Sequence, residues 1–175
     1  QFEDALTELQ QEGMTALIVD LRSNPGGMLT SVCSMLDDIL PKGLLVYTED
    51  KDGNRQDYNS TDDKTLDLPL AVLVNGNSAS ASEIFAGAIQ DRKAGTIIGT
   101  TTYGKGVVQS ILSLKDGSAF KLTTSRYFTP SGTCIQGIGI EPDVEIEYEF
   151  TGPEDATYSE EYDNQIQKAL DVLQQ

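Results

Sequence analysis

The chain has 175 residues, 12 of them Lys or Arg, 28 Asp or Glu and none His, for a formal charge of −16. Without imidazole there can be no Ser-His-Asp or Cys-His catalytic unit, no HExxH zinc site and no histidine pH switch, so proton transfer falls to Lys, Asp, Glu, Tyr or Cys. The acidic balance disfavours nucleic-acid phosphates and anionic lipid surfaces, and the length suits one domain with a sizeable core.

Phe2, Ala5, Leu6 and Leu9 recur at helical spacing up to Gly13, which predicts an opening helix. Ala16 to Leu21 is a continuous apolar run ahead of Ser23-Asn24-Pro25-Gly26-Gly27, the pattern of a buried strand feeding a sharp turn. Val32, Met35, Leu36, Ile39 and Leu40 mark a second helix. Leu44–Thr48 and Arg55–Asn59 flank Asp52-Gly53 as a hairpin, and residues 60–67 read as a polar surface connection. Leu70–Val74 repeats the buried-strand pattern, then Ser78-Ala79-Ser80-Ala81-Ser82-Glu83 leads into helically spaced Ile84, Phe85, Ala88 and Ile89. Thr96–Gly99 is a further strand, followed by a glycine-bearing loop to Gly106. Val107–Leu114 and Ala119–Thr129 form strands around Asp116-Gly117, Val144–Phe150 is extended, and Ile166, Ala169, Leu170 and Leu173 make a closing helix. Strands alternating with helices, plus hairpins, define an α/β domain with mixed sheets.

Cys33 and Cys134 form neither a CxxC pair nor a disulfide framework and read as small buried side chains. No apolar run approaches the roughly 20 residues of a membrane span, and no signal peptide is present. The chain opens with Gln1, which suggests an excised piece or a mature chain. Asn59-Ser60-Thr61 is a glycosylation sequon that matters only in a glycosylating secretory pathway.

Three segments carry chemistry-bearing residues. Gly99 to Gly106 matches a phosphate-binding loop except at its end, where Gly106 lacks the magnesium-binding hydroxyl and a strand-forming run follows; nucleotide binding is not expected. Ser80 stands at a helix start with Glu83 three residues on, a local pattern that reads first as a capping box and second as a nucleophile held where the helix dipole favours a developing oxyanion. Such a serine needs a base, and a lysine serves only when neutral, its usual pKa of about 10.4 having been lowered several units. Lys105, between Gly104 and Gly106, is the best placed, since Lys42, Lys51, Lys64, Lys93 and Lys115 lie near turns or acidic segments. Gln109, four residues on in an extended segment, faces the same side as Lys105 and can orient a neutral amine. Gly26 and Gly27, in a turn after a buried strand, let backbone amides approach a ligand, and with the Ala81 N–H they would form an oxyanion hole.

Asp20-Leu21-Arg22-Ser23-Asn24-Pro25-Gly26-Gly27, Ser78 to Ile84, Tyr103-Gly104-Lys105-Gly106-Val107-Val108-Gln109 and Gly139-Ile140-Glu141-Pro142-Asp143 together resemble, in order, the signature blocks of the carboxyl-terminal processing peptidases. The resemblance implies a Ser-Lys serine endopeptidase on a crotonase-like α/β core, with Ser80 as nucleophile, Lys105 as general base, Gln109 positioning the lysine, and Gly26 or Gly27 with Ala81 as oxyanion donors. It gives Asp91 a structural role and requires no metal or organic cofactor. It implies protein or peptide substrates with accessible C-termini and an extracytoplasmic setting: bacterial envelope, secreted or plastid lumen. Family members also carry a PDZ domain and N-terminal segments, which this chain does not include, so a face left uncovered is expected to favour homo-oligomers. The rival expectation is a non-catalytic module binding peptides or lipophilic ligands on the same fold.

Overall fold

The computed structural model describes residues 1–61 and 65–174. Its elements in chain order are α1 (Phe2–Gln11), β1 (Leu17–Asp20), α2 (Leu29–Asp37), β2 (Gly43–Asp50), β3 (Arg55–Ser60), β4 (Leu70–Val74), α3 (Ala81–Asp91), β5 (Thr96–Gly99), β6 (Val107–Ser113), β7 (Ala119–Phe128), β8 (Val144–Glu145) and α4 (Asn164–Leu173). A short 3-10 turn, Glu160–Tyr162, precedes α4.

The α/β class expected from the sequence is the one observed, with its parallel and antiparallel pairings in two separate sheets. One is parallel, in the order β1-β4-β5-β8, and the other is antiparallel, in the order β3-β2-β7-β6. All five residues of β4 are buried, as an apolar strand covered on both faces must be. On one face lie α2 and α3, with Leu36, Phe85 and Ile89 in the main core. On the other lies α4, whose Ala169 packs with Ala71, Leu73 and Ile98.

Only Val144–Glu145 of the extended segment pairs as a strand. Beyond it the backbone is met by side chains of α4: Gln165 Nε2 donates to the Ile146 carbonyl, Asn164 Nδ2 donates to that of Glu147, and Asn164 Oδ1 accepts from the Glu149 N–H. A ladder is unnecessary where side chains satisfy the same groups. Residues 62–64 of the polar connection, Lys64 among them, lie outside the described residues; at its described ends Thr61 is held by Asp37 and the Leu66 N–H by the Ile39 carbonyl. Past its short pairing with β2, the β6–β7 pair runs on as a two-stranded ribbon. Leu112, Phe120 and Leu122 share one exposed face of it.

Candidate active site

The segments singled out in the sequence leave the carboxyl ends of three neighbouring parallel strands: residues 21–28 follow β1, 75–80 follow β4 and 100–106 follow β5. This is the edge at which open α/β sheets bind ligands. The loops are knitted by directional bonds. The Ser23 N–H donates to Asn75 Oδ1 at 2.9 Å, the Ala79 N–H to the Asn24 carbonyl at 3.0 Å, and buried Ser78 Oγ to the Leu21 carbonyl at 2.7 Å. The Tyr103 N–H reaches the Ser78 carbonyl at 3.0 Å.

Ser80 is the N-cap of α3 at φ 57, ψ −115, a conformation that strains any residue with a Cβ. Something must hold it there, and Glu83 does. This side chain, with no solvent exposure, accepts four hydrogen bonds. Its Oε2 takes the Ser80 N–H at 2.8 Å and the Lys105 N–H at 2.8 Å, and its Oε1 takes Thr102 Oγ1 and the Gly104 N–H, both at 2.6 Å. Thr102 Oγ1 in turn accepts from the Ile140 N–H at 2.7 Å. The capping box is therefore only part of what Glu83 does, for it also ties the serine turn to the lysine loop. The available sequence signal was its isolation, as Glu83 is the only charge between Ser78 and Gln90.

Ser80 and Lys105 thus come together through their backbones. Their side chains share no hydrogen bond among the described residues, and Lys105 is exposed, bordering a cleft with Ser23, Pro25, Asn77, Ala79 and Tyr103. Gln109 lies on β6, exposed, opposite Thr123. The β6–β7 ladder shifts register between Val108 and Gln109, the extra residue, Thr124, lying on β7. A strand follows Gly106 where a phosphate-binding loop needs a helix.

The structure separates the two glycines. Gly26, at φ +94, packs so closely on the serine turn that a Cβ would lie 2.5 Å from the Ala79 oxygen and 2.7 Å from the Ala81 nitrogen. Its N–H already donates to Asn24 Oδ1 at 2.8 Å. The Gly27 and Ala81 N–H groups donate to no acceptor among the described residues. Beside them opens a largely apolar cavity of about 140 Å³, walled by Leu21, Met28, Val32, Met35 and Phe85. Asp91, at the far end of α3, accepts the Ser131 N–H at 2.7 Å.

A charged cluster that sequence reading did not single out flanks the first loop. Arg22 pairs with Asp20 and Asp163, and its guanidinium is held above the usual arginine range, first by the Asp20 hydrogen bond and against the cost of its burial. For Asp163, burial pushes the carboxyl up, but the Ile166 N–H and Arg22 outweigh it and leave it below the usual range. Cys33 is half-buried, its thiol pushed up to about 11 by burial and then by the charge of Asp37. Among the described residues no group of three or more Cys, Asp and Glu side chains gathers as a metal site.

A buried strand, a strained serine at a helix start and a lysine loop tied to it by one carboxylate thus meet at this edge of the sheet. Residues 1–146 match peptidase family S41, and the chain belongs to that family. It is 47% identical over 149 residues to a carboxy-terminal-processing protease of Bartonella bacilliformis, covering 83% of this chain and 34% of that protein. It is 39% identical over 175 residues to a carboxyl-terminal-processing protease of Synechocystis sp., covering 97% of this chain and 39% of the relative. Among solved structures, a photosystem II D1 C-terminal processing protease superimposes with a TM-score of 0.79 at 39% identity, over 85% of this chain and 39% of that one. The chain therefore spans little more than a third of the length of these relatives.

Proposed function

We propose that the chain is the catalytic core of a serine endopeptidase that cleaves polypeptides near their C-termini through a Ser80–Lys105 dyad. The observation that carries this reading is the sharing of one carboxylate oxygen, Glu83 Oε2, by the Ser80 and Lys105 N–H groups, which fixes the two backbones against each other at a strained turn. Neutral Lys105 takes the Ser80 proton as Oγ bonds to the scissile carbonyl carbon, and the Gly27 and Ala81 N–H groups receive the developing oxyanion. The lysine ammonium then protonates the departing amine, leaving an ester on Ser80. Water, deprotonated by Lys105, hydrolyses that ester and returns the proton to Ser80. Covering the exposed lysine with substrate removes the water that stabilises its ammonium, and catalytic contacts absent in the free protein tighten in the bound one. Gln109 orients the amine, and no cofactor enters any step. The cavity beside Gly27 takes an apolar substrate side chain; an apolar cavity of roughly 150 Å³ holds a benzene-sized group.

In the same reading the rest of the full-length protein supplies a PDZ domain that selects substrate C-termini, and the protein works outside the cytoplasm. The apolar ribbon face of Leu112, Phe120 and Leu122 supports homo-oligomerisation. The test is turnover of an unstructured polypeptide by the full-length protein. Ser80→Ala and Lys105→Ala should each lower it by about 10³-fold or more, and cleavage at the unaltered rate rejects the assigned roles.

A further inference from the structure

We propose that Asp163, in the stretch beyond the family match, is a positioning residue for the loop of Ser23 to Gly27, acting through Arg22. The inference rests on the reading that this loop presents an oxyanion amide. Arg22 stands at the loop's entrance, with its side chain 13% exposed. Nε and Nη2 grip Asp20, at 3.0 and 2.7 Å, while Nη1 reaches Asp163 Oδ2 at 2.8 Å and Gln165 Oε1 at 2.9 Å. Asp163, 1% exposed, divides its oxygens. Oδ1 caps α4 through the Gln165 and Ile166 N–H groups, and Oδ2 is left for Arg22 and the Tyr158 hydroxyl. The next residue, Ser23, has φ 57, and its N–H is bound to Asn75. The strained entrance is thus pinned on one side by β4's exit and on the other by an arginine whose far end is anchored in the closing helix. A group needed only to cap α4 would leave Oδ2 to solvent. Here it goes to a partly buried cation 141 residues away in sequence.

Asp163→Asn and Asp163→Ser in the full-length protein separate the two jobs, because Asn and Ser cap helices about as well as Asp but carry no charge for Arg22. Two readouts are taken: deuterium uptake in the peptide spanning residues 21–28 relative to β4, and kcat and KM on an unstructured polypeptide. The expected result is faster uptake in 21–28 alone, with kcat lowered roughly 10- to 100-fold and KM within about twofold of the parent. Uptake at the parent rate in both variants overturns the brace. Faster uptake with unchanged kcat upholds the brace and overturns the placing of an oxyanion donor in this loop.

Discussion

Glu83→Gln is nearly isosteric, so it opens no cavity and isolates the hydrogen bonding of one buried carboxylate. Four donors converge on that carboxylate: Thr102 Oγ1 and the N–H groups of Ser80, Gly104 and Lys105. An amide offers one accepting oxygen and one NH₂, so whichever way it turns, two donors of the native set meet donors instead. If the NH₂ faces Ser80 and Lys105, two backbone N–H groups are orphaned. If it faces Thr102 and Gly104, the Gly104 N–H is orphaned and the Thr102 hydroxyl must turn while still accepting from Ile140. Hydrogen bonds to a charged group contribute about 1.5–3 kcal/mol each, so losing two costs roughly 3–6 kcal/mol. Were Glu83 only part of a helix cap, the loss would be about 1 kcal/mol. Urea unfolding followed by circular dichroism distinguishes the two, as does a fall in Tm of roughly 10–20 °C for a chain of this size. A loss below about 1.5 kcal/mol would refute the view that this carboxylate anchors both loops.

Gly26→Ala should lower stability by about 1–3 kcal/mol and turnover by at least about 10²-fold, because its Cβ would meet the Ala79 oxygen and Ala81 nitrogen at positive φ. Gly27→Ala, with nothing within 4 Å of the new Cβ, should leave thermal unfolding within about 0.5 kcal/mol of the parent. Val32→Phe fills the cavity and should restrict the adjoining substrate position to small residues, as read by sequencing the products of a peptide mixture. Cys33, with its thiol at about 11 in the fold against an ordinary 9.0, should resist iodoacetamide at pH 8 until urea unfolds the chain. The unfolded chain gives up this proton first, so the folded state loses stability as pH rises from about 9 towards 11. Cys33→Ala should remove that part of the decline in urea midpoint, and an unchanged pH slope would count against the burial argument.

Much of this site was legible because it is built from local signals. The run Leu70–Val74, the small-residue turn and the spacing of Ile84, Phe85 and Ile89 give strand, turn and helix without tertiary information. Asp52-Gly53 likewise joins β2 and β3. What escaped depends on partners distant in sequence. The Glu83 bonds to Thr102, Gly104 and Lys105 cross 19 to 22 residues, and those of Arg22 to Asp163 and Gln165 cross 141 and 143. That the segment beyond Glu145 is held largely by side chains at the start of a later helix, not by a neighbouring strand, depends on partners just as distant. No pattern in Asn24-Pro25-Gly26-Gly27 could show that Asn24 claims the Gly26 amide while that of Gly27 meets no acceptor among the described residues.

Acylation can be watched directly by treating the full-length protein with a β-lactone, whose ring opens on an activated serine to leave a stable ester. Mass spectrometry of the digested protein should place that ester on Ser80 and find none after Lys105→Ala. An ester on another residue, or acylation of Lys105→Ala at the parent rate, would contradict the proposed pairing of this serine with this lysine.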